Sequence, residues 1–215
     1  MTLPLPLNIK PQQHYFPAME GLDKWVGVAF RTGDYTNVYE DVVMAATLCS
    51  FVHCELIIGE GKIADVYSSY CEGNKLSKGF TRSVNQFFPN TWTILVHPLT
   101  DTVHAKKLAL SLLGLDLPYN SRDLWQCCLQ AMLPFESELD CDLPESWKPS
   151  GVFCSQMCLL FLRHLARVGE LETNITFKHH LESLHSRGCS PNGLYGMLSQ
   201  YFKPLVKVVP GMGKK

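Results

Sequence analysis

The chain has 215 residues, of which 46% are hydrophobic and 18% charged, and its formal net charge is −1. This composition is typical of a globular protein that buries most of its apolar surface in one core. Basic and acidic residues number 19 and 20, so the excess of Lys and Arg that phosphate binding requires is missing, and we expect no nucleic-acid partner.

The N-terminal segment, MTLPLPLNIKPQQHYFP, has neither a basic start nor a continuous apolar run, so it does not resemble a signal peptide. No stretch reaches the ~18 apolar residues of a membrane span. We therefore expect a cytoplasmic protein with no stable membrane span. Proline-rich residues 1–20 predict an irregular N-terminal arm, residues 21–210 a single domain, and residues 211–215 a flexible tail.

The nine cysteines are expected to be thiols in such a protein. A zinc site is the alternative for some of them, but no C-x-x-C pair occurs, and tetrahedral structural sites usually show paired short spacings. The ligands would have to be scattered residues such as Cys141, Cys189, His179 and His180. We therefore expect neither a metal nor another cofactor.

In chain order, the predicted elements are mostly strands first and helices later. Apolar alternation and turn residues predict strands at 24–34, 52–59, 63–70, 79–87, 91–99 and 203–209. Helical spacing predicts helices at 37–50 and 100–114, and two more that begin near Ser121 and Cys154. This order predicts a single α+β domain.

The strands at 52–59 and 63–70 are predicted to form a hairpin. Alternation places His53 and Glu55 side by side on one face, and Val52, Cys54, Leu56 and Ile58 on the other, apolar face. A carboxylate beside a histidine fixes its tautomer and stabilises its protonated form, as the base of a nucleophile requires. The alternative is a partly exposed strand face with a neutral histidine and a solvated glutamate.

The length of the hairpin loop decides whether Asp65 joins this pair. A three-residue loop places Asp65 opposite Glu55, on the face of His53. A two-residue loop turns Asp65 to the other face, because side chains alternate along a strand.

The segment GVFCSQMCLLFLRHL, residues 151–165, predicts a buried helix that begins near Cys154. The positive end of the helix dipole and the unpaired N–H groups of the first turn lower the pKa of a thiol there and are able to bind an oxyanion. Cys158, one turn further, is expected in the core. The alternative for Cys154 is that it too is only a small buried apolar side chain.

Four short segments, in this order along the chain, are similar to those of one protein superfamily. They are a strand ending in Gly33-Asp34, the hairpin segment HCELIIGEGKIADVYSS, the segment LLGLDLPYN after a helix, and FCSQ around Cys154. The chain from about Trp25 to Leu165 thus resembles the permuted papain-like NlpC superfamily, especially its YiiX-like branch. Lecithin:retinol acyltransferase is a more distant likeness.

The resemblance implies a permuted papain-like, NlpC-type fold, in which a curved antiparallel sheet packs against helices. It implies that Cys154 is the nucleophile and His53 its base, and that Glu55 orients His53, with Asp65 competing for that last role. Substrate contacts are implied for Tyr119, Ser155 and Gln156. The implied activity is that of a cysteine hydrolase (peptidase or amidase) or an acyltransferase. Its substrate would be a peptide, an amide or an acyl ester, which passes through an acyl-enzyme.

Two other interpretations stay open. One is a His-first thiol protease of adenain- or Ulp-like fold, although those usually carry a glutamine several residues before the cysteine, where this chain has Lys148 and Pro149. The other is a non-enzymatic binding module on the same fold. It is suggested by Gln156 and Asn120, which stand where the family pattern has acidic residues. No motif predicts an oligomeric state.

Overall fold

The computed structural model of the chain describes residues 14–16, 21–33, 44, 50–70, 78–83, 85, 87, 90–128, 139–142, 144–149 and 151–205. Its strands are β1 (His14–Tyr15), β2 (Lys24–Thr32), β3 (Phe51–Glu60), β4 (Ile63–Tyr70), β5 (Lys78–Arg82), β6 (Trp92–Pro98) and β7 (Lys203–Pro204). Its α-helices are α1 (Val103–Gly114), α2 (Ser121–Cys128), α3 (Cys154–Arg167), α4 (Ile175–Ser183) and α5 (Pro191–Leu198). Two short 3-10 helices cover Pro144–Trp147 and Ser186–Gly188.

The strands form one curled antiparallel sheet, in the order β1-β4-β3-β2-β6-β7, and β5 pairs with β4 beside β1. The predicted α+β class and antiparallel sheet are therefore confirmed. The predicted helix at 37–50 lies outside the described residues, apart from Met44 and Ser50. One difference lies in the N-terminal arm, where His14 and Tyr15 pair with β4 instead of being irregular.

Apolar side chains cover both faces of the sheet. On the helix side, residues such as Val28, Leu56 and Tyr67 pack in one large core with the buried face of α3. On the opposite face a smaller cluster centres on Trp25, Ile57, Val66, Trp92 and Val96, with Phe16 over it. Polar side chains in the middle of either face are therefore removed from water.

α3 is the central helix of the domain. It contacts β3, β4 and β5 on one side and α4 and α5 on the other. Because it is surrounded, nearly all of its residues are buried, as expected for a helix that is apolar around most of its circumference. None of the helices in the described part of the chain combines the length and the apolar character needed to span a membrane.

Candidate active site

The candidate site lies where β3 and β4 separate. The pairing between these strands runs from Glu60 and Ile63 to Glu55 and Ser68, so residues 51–54 of β3 have no partner on β4. The start of α3 is attached at this opening, since Ser69 Oγ on β4 donates to the Val152 carbonyl at 3.0 Å. Cys154 lies on the helix side of the sheet, and His53 belongs to the opposite face. The two side chains interact at this opening, where β4 no longer pairs with β3.

Cys154 is the first residue of α3, and only 2% of its surface is exposed. Its sulfur interacts with the Cys54 thiol, the Cys54 backbone and the His53 side chain. The hydrogen bond from the Cys54 thiol contributes most to lowering the pKa of Cys154. The hydrogen bond and charge of His53 add to it, and together they outweigh burial, so the pKa lies well below its ordinary value. These neighbours therefore favour the thiolate form of Cys154 over the thiol form, relative to an ordinary cysteine.

His53 interacts with both Cys154 and a carboxylate. Its Nε2 atom is 3.1 Å from Ser68 Oγ and 3.5 Å from Glu55 Oε1. Burial alone would lower the pKa of His53, but hydrogen bonds and charges from Cys154 and Glu55 raise it to about 10. The edge of the ring faces Trp92, with 6.2 Å between centroids, and 16% of the side chain is exposed.

Glu55 is fully buried, and the side chains of Ser83, Asn85 and His53 surround its carboxylate. Ser83 Oγ lies 3.0 and 2.9 Å from its two oxygens, and Asn85 Nδ2 donates to Oε1 at 2.6 Å. Burial raises the pKa of Glu55, but His53 and the two donors lower it further than burial raises it. A buried, ionised carboxylate beside an imidazolium is a stable arrangement only when such donors complete it.

Two backbone contacts fix the turn that leads to Cys154. The Val152 N–H donates to the Pro118 carbonyl at 3.2 Å, and the Asn120 N–H donates to the Val152 carbonyl at 3.2 Å. Gly151 precedes them at φ +70°, and a Cβ there would overlap the Pro118 carbonyl oxygen. Glycine is therefore required at 151 by its conformation and by this close approach.

A buried polar network holds the first turn of α3 from behind. Gln156 Oε1 accepts the Phe153 N–H at 3.3 Å, and Gln156 Nε2 donates to Asp123 at 3.4 Å. Asn120 and Arg187 donate to the same Asp123 oxygen, each at 2.8 Å. The amides at 156 and 120 both accept and donate, which an ionised carboxylate would not do. An acid at either position would also place a second carboxylate beside Asp123.

Ser155 and Gln156 were expected to contact a substrate, and the structure corrects this expectation, because both side chains point into the interior. Both are fully buried. Ser155 Oγ donates to the Cys189 carbonyl at 2.5 Å, and Gln156 serves the network just described. The physical reason is the helical rotation of about 100° per residue, which turns these side chains away from Cys154 and into the neighbouring segments.

Asp65 is also not brought to His53. The hairpin closes with the two-residue turn Gly61-Lys62, so Ser68 opposes Glu55 and Asp65 opposes Ile58. Asp65 therefore lies on the other face of the sheet, where it pairs with Arg82 at 3.3 Å. The loop with two residues was the alternative that excluded Asp65, and it leaves Glu55 as the carboxylate beside His53.

Tyr119 is half-buried, and its backbone bridges to Val152, two residues before Cys154; its contact with a substrate stays a prediction. The residues considered for zinc are not gathered, since within the described residues the one cluster with metal-ligand spacing is Asp140, Cys141 and Asp142. Arg167 forms ion pairs with both aspartates of that cluster, at 3.9 Å to Asp140 and 3.0 Å to Asp142.

Several site residues were missed by the sequence reasoning. Ser68 follows from the two-residue loop once that register is known, because it then opposes Glu55. Cys54 lies in the core, as alternation along β3 predicts, but its interaction with Cys154 was not predicted. Ser83 and Asn85 approach Glu55 from about thirty residues away, and no local pattern marks such contacts.

Comparisons with known proteins identify no relative, since no family model, curated protein or solved structure matches this chain.

Proposed function

We propose that the protein is a cysteine-dependent hydrolase or acyltransferase of permuted papain-like type. One observation carries the proposal: Cys154, a buried cysteine at a helix start whose pKa lies well below its ordinary value, interacts with His53, and the fully buried carboxylate of Glu55 lies 3.5 Å from that imidazole. Structural cysteines rarely have such neighbours, whereas nucleophilic thiols require them. The resemblance to YiiX-like proteins along residues 25–165 supports the same conclusion.

The chemistry follows from these positions. The Cys154 thiolate attacks the carbonyl carbon of an amide, a thioester or an ester, and the carbonyl oxygen becomes an oxyanion. First-turn N–H groups of α3 have no acceptor within the helix and stabilise that charge. The carbon–heteroatom bond then breaks, and the His53 imidazolium gives its proton to the leaving group. Water or another acceptor next loses a proton to His53 and attacks the acyl-enzyme, which releases Cys154.

Tyr119 is the proposed substrate contact, because its backbone is paired with the turn that carries the nucleophile. Approach of the substrate is assigned to the His53 side, since that side chain is the more exposed of the reacting pair. The substrate class remains a peptide, an amide or an acyl ester.

The test is acylation by p-nitrophenyl acetate, a probe that acylates activated thiols. We expect one equivalent of nitrophenolate in a burst and an acetyl group on Cys154, found by mass spectrometry. His53→Ala should slow the burst by roughly 100-fold or more, the usual contribution of a general base. Cys158→Ala is the matched control, because Cys158 is an equally buried thiol one turn along α3, and its burst should be unchanged.

A non-enzymatic binding module is the second candidate, and the small exposure of Cys154 favours it. The same experiment separates the two. If acetyl groups appear on several cysteines at similar rates, or none appears on Cys154 in the folded protein, the hydrolase and acyltransferase proposal is wrong.

A further inference from the structure

Two adjacent serines of β4 contact the two halves of the candidate site from opposite faces of the sheet. Ser68 lies on the face of His53, and its Oγ is 3.1 Å from His53 Nε2. Ser69 points to the helix side, where its Oγ donates to the Val152 carbonyl at 3.0 Å, in the turn that leads into α3. Both serines are buried, so their hydroxyls bind protein groups and not solvent.

We propose that Ser68 and Ser69 are positioning residues, which set the separation between His53 and Cys154 from one point of β4. The inference rests on the proposed function, because this separation matters for catalysis only if His53 serves Cys154. Neither hydroxyl takes part in acyl transfer itself, and each acts through the residue that it holds.

Ser68 decides the direction of the His53 ring. The Nε2 atom has two acceptors, Ser68 Oγ at 3.1 Å on β4 and Glu55 Oε1 at 3.5 Å on its own strand, β3. In the charged imidazole both ring nitrogens donate, so both contacts are favourable. The contact with Ser68 crosses from β3 to β4 and draws the ring towards the opening between these strands. Without that hydroxyl only the acceptor along β3 remains, and we expect the ring to turn towards Glu55.

Ser69 holds the other partner. The Val152 carbonyl accepts from Ser69 Oγ at 3.0 Å and from the Asn120 N–H at 3.2 Å. Of these two donors only Ser69 belongs to the sheet. Since Cys154 follows Val152 by two residues and begins α3, loss of the Ser69 hydroxyl should let the first turn of the helix shift relative to β4.

The place of the two serines in the sheet supports this role. The pairing of β4 with β3 ends at Ser68, and its pairing with β5 shifts register between Ser68 and Tyr70. Such irregularities re-aim side chains and are common beside active sites. Adjacent residues of a strand point to opposite faces, so this one point of β4 reaches both the histidine and the turn before the cysteine.

The test compares Ser68→Ala, Ser69→Ala and the double variant in the burst with p-nitrophenyl acetate, at several concentrations of this probe. Because a misplacement of about 1 Å costs up to roughly 100-fold, the acylation rate constant should fall by roughly 10- to 100-fold in each single variant, with an unchanged apparent dissociation constant for the probe. Burst amplitude counts folded molecules, so a merely structural role would lower the amplitude and leave the rate constant. In the double variant the fall should be smaller than the product of the two single falls, because both serines act on one distance.

Thr102→Val is the matched control, because it also removes one buried hydroxyl, which lies 3.4 Å from Glu60 Oε2 at the far end of β3. Its rate constant should equal that of the wild type. A second measurement does not depend on turnover. The nuclear Overhauser effect between the rings of His53 and Trp92, whose centroids are 6.2 Å apart, should weaken in Ser68→Ala and persist in Thr102→Val.

The outcomes separate this proposal from the proposed function. A wild type without a burst at Cys154 would refute the function, and the ring contact would still test Ser68. A wild-type burst with an unchanged rate constant in either single variant, falls that multiply in the double variant, or an unchanged ring contact in Ser68→Ala would overturn the positioning proposal. If one single variant fails to fold, the other still decides.

Discussion

Replacement of Glu55 by glutamine tests the electrostatic centre of the site. Glutamine keeps the size of the side chain and still accepts from Ser83 and Asn85, but it removes the charge that faces His53. A hydrogen bond to a charged group contributes about 1.5–3 kcal/mol, and 1.36 kcal/mol corresponds to one pKa unit. The pKa of His53, raised to about 10 in the wild type, should therefore fall by roughly one to two units in Glu55→Gln.

The assay is an NMR titration of the His53 imidazole Cε1 proton, assigned by its absence from His53→Ala. Asp65→Asn is the matched control, because it removes a carboxylate from the same hairpin but from the opposite face, where it pairs with Arg82. We expect the Asp65→Asn midpoint to stay at the wild-type value. If Glu55→Gln titrates like the wild type, or if Asp65→Asn shifts the midpoint as much, Glu55 does not hold the charge of His53.

Three further predictions concern the stability of the site, each measured by urea unfolding. Gly151 and Gly169 both have positive φ, so alanine at either position should cost about 1–2 kcal/mol. Gly151→Ala should cost clearly more than Gly169→Ala, because of the two only the Cβ at 151 meets a backbone carbonyl. Equal losses would refute that contact. Arg187→Met should cost about 3–5 kcal/mol, since it leaves a buried carboxylate without its cation, and a loss below 1 kcal/mol would contradict this. The third prediction concerns the pH dependence of stability. Between pH 6.5 and 9.0, the ordinary pKa values of histidine and cysteine, the pair holds one proton in each state, on His53 in the folded protein and on Cys154 in the unfolded chain. The free energy of unfolding therefore does not change with pH in this range through this pair. From 9 to about 10 only the folded protein holds that proton, so stability should fall by about 1.4 kcal/mol, and Cys154→Ala should abolish this fall.

The parts of the site that follow local periodicity were predictable. Alternation along β3 placed His53 beside Glu55, and the apolar spacing of α3 placed its first turn at Cys154. Both patterns are set by neighbours in sequence, so a single chain is enough to show them. The meeting of the two elements is a long-range contact, and the expectation of it came from the resemblance to a known family.

The errors have physical causes of two kinds. The face of the sheet on which Asp65 lies depends on the length of the hairpin loop. Because side chains alternate along a strand, a difference of one loop residue moves Asp65 to the opposite face. Alternation correctly places Cys54 in the core, but it does not show that Cys54 also interacts with Cys154. This interaction occurs where the pairing between β3 and β4 ends at Glu55 and Ser68. Local sequence patterns do not show where such pairing ends.

The family resemblance implies substrate contacts for Ser155 and Gln156, which adjoin Cys154 in sequence. Within a helix, adjacent residues point in different directions, and these two point into the interior. The carboxylate of Asp123, which Gln156 contacts, is neutralised by Arg187 from 64 residues away, a partner that no motif marks.

The most direct test of the central claim is a count of thiolates by ultraviolet absorbance near 240 nm at pH 7. We expect the wild type to contain one more thiolate than Cys154→Ala, and His53→Ala to lose most of this difference because the thiolate has lost its imidazolium partner. If wild type and Cys154→Ala absorb equally at pH 7 while both are folded, Cys154 is an ordinary protonated thiol, and the proposed nucleophile does not exist.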